Sequence, residues 1–149
     1  MYYIDINKHK TMVQAPIRAL VYMMMGVSGE VIFTAIKYNI VLKRDWRLQG
    51  FTQMWTMPLY ALGGVFVFEP LSAAIANFHI FARFGIYAIV IYTIEYLAAF
   101  LIYKATKKNP WDYSENMWNL HGRITLYHFP FWGTLGLVFE MVYKYLIHI

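Results

Sequence analysis

The chain has 149 residues, 60% of them hydrophobic and only 14% charged, against roughly 45–50% apolar and about 25% charged in an ordinary soluble domain. That excess cannot be hidden inside a soluble fold of this size, so much of the apolar surface must face lipid. The absence of cysteine excludes disulfides, thiolate metal sites and a Cys nucleophile, and the net charge of +5 reflects basic residues at the ends of apolar runs rather than a nucleic-acid surface.

The N-terminal stretch Met1–Pro16 is too polar for a signal peptide, so the first apolar run is itself the inserting segment. That run predicts a spanning helix from about Pro16 to Leu42, with Pro16 placed where a missing N–H costs nothing. The polar loop Lys43–Gly50 ends it. A second helix is predicted from about Phe51 to Leu71, followed by a weakly polar connector, Ser72–His79. The third helix should run from about Phe81 to Thr106, and the segment Lys107–Arg123 is too polar to lie in lipid. A fourth helix should run from about Ile124 to His148.

The two halves read as copies. Glu30 precedes Trp46 by 16 residues, and Glu95 precedes Trp111 by 16. The segments Pro58–Glu69 and Pro130–Glu140 match Pro with Pro, Gly with Gly and Glu with Glu if one gap is allowed. Two helices per copy make the repeat parallel, about an axis along the membrane normal. The expected fold is all-α: an integral membrane four-helix bundle made of two parallel helical-hairpin repeats. The whole chain, residues 1–149, is then a single membrane domain, with repeat one at about 16–71 and repeat two at about 81–148.

Orientation follows from basic residues near helix ends. Lys37, Lys43, Arg44, Arg47, Lys104, Lys107, Lys108 and Arg123 flank the loops after the first and third helices. Lys8, Lys10, Arg18, Arg83 and Lys144 lie on the other side. Eight against five places the two Trp-rich loops in the cytoplasm and both termini outside.

Carboxylates at membrane depth are expensive and invite a functional reading. Glu30 shares a face with Gly26, Thr34 and Lys37, and Glu95 with Ala88, Tyr92 and Ala99. Glu69 and Glu140 fall nearer the outer end. Together they define a candidate proton-carrying, cation-binding or substrate-binding set; the competing reading is that each Glu merely hydrogen-bonds a neighbouring helix. No Glu-x-x-His motif marks a di-iron bundle, and His9, His79, His121, His128 and His148 do not signal a haem pair, so no metal or cofactor is indicated. The segment from Trp111 to Arg123 carries a candidate loop clamp. Asp112 and Ser114 can accept backbone N–H bonds, and Trp111 and Trp118 can anchor the loop at the interface. Gly122 lets the chain pass close to backbone, and Arg123 can pair with Asp112 or Glu115, or clamp a phosphate. Lys37, Lys104 and Lys144 can snorkel toward water.

From Gly26 to about Tyr143 the sequence resembles the CmpB-like type IV ABC-transporter permease family, whose eukaryotic relatives are called transmembrane protein 229. The carrying residues are Gly26–Ala35, the W-x-x-P-x-Y run Trp55–Tyr60, Glu95 with its flanking Ile-Glu-Tyr-Leu-Ala-Ala-Phe, Asn109–Ser114 and Gly122–Leu126. The resemblance implies a small multi-pass transport protein. Membrane lipids are its surroundings, and it should be a homo-oligomer or a subunit of a larger membrane complex, with no nucleic acid. In a bacterium that membrane would be the plasma (inner) membrane. Two other readings stay open on the residues: an intramembrane enzyme acting on lipid headgroups, and a non-catalytic accessory subunit.

Overall fold

A computed structural model describes residues 6–43 and 46–146, with side chains from residue 14 onward except for those at 40–45. Arg44 and His148 of the sequence argument, and the side chains of Lys8, His9, Lys10 and Lys43, lie outside what is described. The chain forms two compact units, one ending at Glu69 and joined by Leu146, the other running from Pro70 to Tyr145.

In the first unit, helix α1 (Ile6–Ala35) passes into a π-helical stretch, Ile36–Lys43. The expected start at Pro16 is corrected: Pro16 lies inside α1, where it removes one hydrogen bond without ending the helix. At the α-to-π junction the Asn39 side-chain amide donates to the Ala35 carbonyl at 2.8 Å, supplying a donor where the helical ladder changes step. The same amide donates to Gln49 O at 2.7 Å and so draws the following loop back onto α1. Thr34 completes the tie: its Oγ1 donates to Phe51 O at 2.8 Å and accepts from Phe51 N at 2.9 Å.

The returning helix starts at Thr56, not Phe51, because Phe51 is held by that tie and Thr56 N then donates to Gln53 O at 3.0 Å in the turn that opens the helix. It comprises α2 (Thr56–Leu62), a π-helical segment Gly63–Phe68 and α3 (Glu69–Ala74). α2 and its π-helical extension pack against α1. Tyr22 of α1 is fully buried, and a Cβ at Gly64 would collide with its ring. Glycine is what allows the two backbones to come this close.

In the second unit, α4 (Ile80–Thr106) is capped by His79, whose Nδ1 accepts from Phe81 N at 3.4 Å. It ends at Lys107 in the left-handed region, φ 60°. A short antiparallel hairpin follows, β1 (Asn119–Leu120) and β2 (Ile124–Thr125), then a 3-10 turn Leu126–His128 and α5 (Phe129–Leu146). The expected fourth helix is therefore corrected at its start: Ile124 and Thr125 belong to a strand. His121 and Gly122 both have positive φ, 53° and 68°, and Arg123 N donates to Leu120 O at 3.0 Å, which turns the chain tightly there. Tyr87 of α4 is fully buried, and a Cβ at Gly136 of α5 would meet it.

Among the described residues three helices, Gln14–Asn39, Thr56–Ala74 and Ile80–Thr106, are long and apolar enough to cross a membrane. Along α1, Ile17, Leu20, Met24 and Ile32 are more than half exposed, a stripe suited to lipid.

Candidate functional site

Each unit pairs an arginine with a glutamate near one end of its helices. Arg18 Nε lies 2.8 Å from Glu69 Oε1, and both side chains are nearly buried (9% and 11% exposed). In the second unit Arg83 is ion-paired with Glu140. Glu140 also accepts from Tyr87 Oη at 2.8 Å and meets Lys144 Nζ at 2.8 Å. Tyr87 Oη also bonds the Ser72 hydroxyl at 3.1 Å. Glu69 and Glu140 are thus neutralised by cations and locked by neighbours. Lys144 is 60% exposed, as a lysine reaching for water would be, and also meets the carboxylate one helical turn before it.

Glu30 and Glu95 lie twelve residues beyond Arg18 and Arg83, about 18 Å along a helix. They are met by different chemistry. Thr52 Oγ1 donates to Glu30 Oε2 at 2.6 Å, and the Thr52 and Thr56 hydroxyls lie 3.0 Å apart. Thr56 Oγ1 donates to Gln53 O at 2.7 Å. Glu30 forms no ion pair among the described residues. In the second unit Tyr113 Oη donates to Glu95 Oε1 at 3.3 Å. Tyr113 packs edge-on against His128, ring centroids 5.0 Å apart. Both carboxyls are therefore reached by residues of the loop between two helices. Tyr92, on the same helical face as Glu95, donates to Thr125 O at 2.6 Å.

The loop from Trp111 to Arg123 is closed by its own hydrogen bonds. Trp111 Nε1 donates to Arg123 O at 2.7 Å, and Tyr113 N to Gly122 O at 2.8 Å. Asp112 Oδ1 accepts from Ser114 N at 2.9 Å, which holds this exposed carboxyl below the usual carboxylate range. The expected ion pair of Arg123 with Asp112 or Glu115 is not formed. The Arg123 guanidinium lies 5.4 Å from the ring centroids of Tyr96, Phe100 and Tyr103, and its Nη1 donates to Tyr96 Oη at 3.2 Å. Trp111 is half-buried within the loop, whereas Trp118 is 59% exposed. Lys37 reaches over the rings of Phe33 and Tyr38, at 6.0 and 5.8 Å.

Sequence reasoning missed Arg18 and Arg83 as partners of the outer glutamates, counting them only for orientation. A signal was present: Arg18, Tyr22, Glu30 and Trp46 recur at one constant offset as Arg83, Tyr87, Glu95 and Trp111. Among the described residues no three His, Asp or Glu side chains gather as a metal-binding group.

No solved structure matches the chain. Apolar helices of spanning length and a family match together identify a membrane protein of transport type, of the kind that works as a subunit of a membrane complex. The match extends over residues 19–148, most of the sequence, and the chain belongs to the family described as "Putative ABC-transporter type IV".

Proposed function

We propose that this protein is a permease subunit in which Glu30, with Glu95 as its counterpart, is the carboxyl that carries a proton or accepts a cation. The observation that carries the reading is the contrast between two kinds of glutamate. Glu69 and Glu140 are each held by an arginine, so the charge of each is matched by a guanidinium fixed beside it. Glu30 meets hydroxyls only, and a hydroxyl can donate to the ionised form or accept from the protonated one. Such a group can change its charge without dismantling its surroundings. The path lies between subunits, because four short helices leave little room for one within a single chain.

A duplicated origin is part of this proposal. The recurrence of Arg, Tyr, Glu and Trp at one offset supports it. So does the π-helical segment Gly63–Phe68, which lies where Pro58–Glu69 is one residue longer than Pro130–Glu140. One residue inserted as a π turn lengthens the sequence while returning the following Glu to the same helical face.

The test is proton movement in membrane vesicles from cells making the protein together with its partners. A pH-sensitive dye reports the response to sodium, potassium or a divalent cation added in turn. Wild type should show cation-dependent proton movement, and Glu30→Gln should abolish it at unchanged protein level and melting temperature. Wild-type rates in Glu30→Gln would overturn the reading.

A further inference from the structure

Arg18 and Arg83 each have a carboxylate; Arg123 has none among the described residues. Its guanidinium is half-buried against three aromatic rings, its Nη1 is engaged by Tyr96 Oη, and its Nε is buried with no hydrogen-bond partner. Tyr96 Oη is also 2.8 Å from His121 Nδ1, so a second ring nitrogen with donor capacity stands beside the arginine. The backbone beneath is fixed: Trp111 holds the Arg123 carbonyl, and Asn119 Oδ1 accepts from Gly122 N at 2.8 Å. A cation pre-positioned in this way lacks only its anion.

The surroundings indicate where that anion comes from. Tyr96, Phe100, Tyr103 and Lys104 follow one another at helical spacing, so Lys104 continues the aromatic face of α4 toward its end, where Lys107 caps the helix. The hairpin carries exposed apolar side chains, with Met117 79%, Trp118 59% and Leu120 50% exposed. Exposed Trp beside basic residues, at the end of a spanning helix, is the composition of a protein surface in the lipid headgroup layer.

We infer that Arg123, with His121 beside it and Lys104 on the same helix, is a binding site for the phosphate of an anionic phospholipid. The outer Nη1–Nη2 edge of the guanidinium supplies the donors to the phosphate oxygens, since Nε is covered by protein, and the rings fix its plane. The neighbouring lysines raise the local concentration of negative headgroups over zwitterionic ones.

The experiment uses the full chain in nanodiscs of phosphatidylcholine, with or without phosphatidylglycerol, and counts lipids retained on the protein by native mass spectrometry. Phosphatidylglycerol should be retained in preference to phosphatidylcholine, and Arg123→Gln should weaken that retention about tenfold, as expected for loss of one charge-assisted contact. Arg123→Lys keeps the charge and the stem over the rings, so it remains folded even where Arg123→Gln does not; losing the fork, it should retain less lipid than wild type. Inorganic phosphate should not displace the lipid. Undiminished retention by either folded variant, equal retention of the two lipids, or displacement by inorganic phosphate each overturns the assignment.

Discussion

Arg18 Nε and Glu69 Oε1 lie 2.8 Å apart with almost no solvent on either side chain. They come from residues fifty-one positions apart, on α1 and at the start of α3. A pair of this kind does little for stability when compared with apolar residues of equal size, yet breaking it leaves a lone charge in a medium that cannot solvate it. Arg18→Met or Glu69→Leu alone should therefore cost about 3–5 kcal/mol. The double variant should recover most of that loss. Denaturation in detergent, arranged as a double-mutant cycle, measures the coupling. Additive losses would show that the two side chains do not depend on each other.

The close approaches at Gly64 and Gly136 give a second expectation. A methyl group at either position runs into a fully buried tyrosine, Tyr22 or Tyr87. Neither ring can step aside into solvent, so Gly64→Ala and Gly136→Ala should each destabilise by about 1–3 kcal/mol. Gly85, within α4, has nothing within 4 Å of its would-be Cβ. Gly85→Ala should be neutral or stabilising by up to about 1 kcal/mol, since alanine is the better helix former. Melting temperatures of the three variants in one detergent check the contrast.

The hairpin turn depends on Gly122 and Asp112 for different reasons. Gly122 has φ +68°, and a Cβ there would come within 3.1 Å of Asp112 Oδ1. Gly122→Ala should loosen the loop by about 1 kcal/mol or more. Asp112 contributes through charge: its carboxylate accepts from Ser114 N, and its pKa is thereby lowered from the ordinary 3.8. A lowered folded-state pKa means the contribution is present above the unfolded value and fades as pH falls through the folded one. Ser114 should therefore stay protected against amide exchange down to pH values beneath 3.8, then lose that protection. Asp112→Asn should flatten this acid dependence. Hydrogen exchange followed across that range reads both effects.

The sequence was a good guide where one physical signal dominated. The third helix, predicted as Phe81–Thr106, is Ile80–Thr106, because an unbroken apolar run lies between a His-capped start and Lys-rich polar residues. Pro16 misled because proline marks a helix start only when nothing upstream can continue the helix, and here residues 6–15 do. The β1–β2 hairpin was hidden by its brevity: two residues per strand give no alternation to detect, although His121-Gly122 is a dipeptide suited to left-handed φ. The glutamates stood out as costly groups at depth. Their partners did not, because an arginine near a helix end also has an ordinary reading as an orientation signal. Telling Glu69 from Glu30 required knowing that one meets a guanidinium and the other a threonine hydroxyl.

The chain has no cysteine to remove, so single introduced cysteines report its orientation directly. The excess of Lys and Arg around the loops after the first and third helices predicts both loops on the cytoplasmic side. Exposed sites suit the labels: Trp46, 78% exposed, and Met117, 79%, for the two loops, and Phe78 or His79 for the connector before α4. Single cysteines at 46 and 117 should react with a membrane-impermeant maleimide only after the membrane is opened. A cysteine at 78 should react in intact cells. The opposite labelling pattern in the unmodified background, with 46 and 117 reactive from outside, would reverse the assignment.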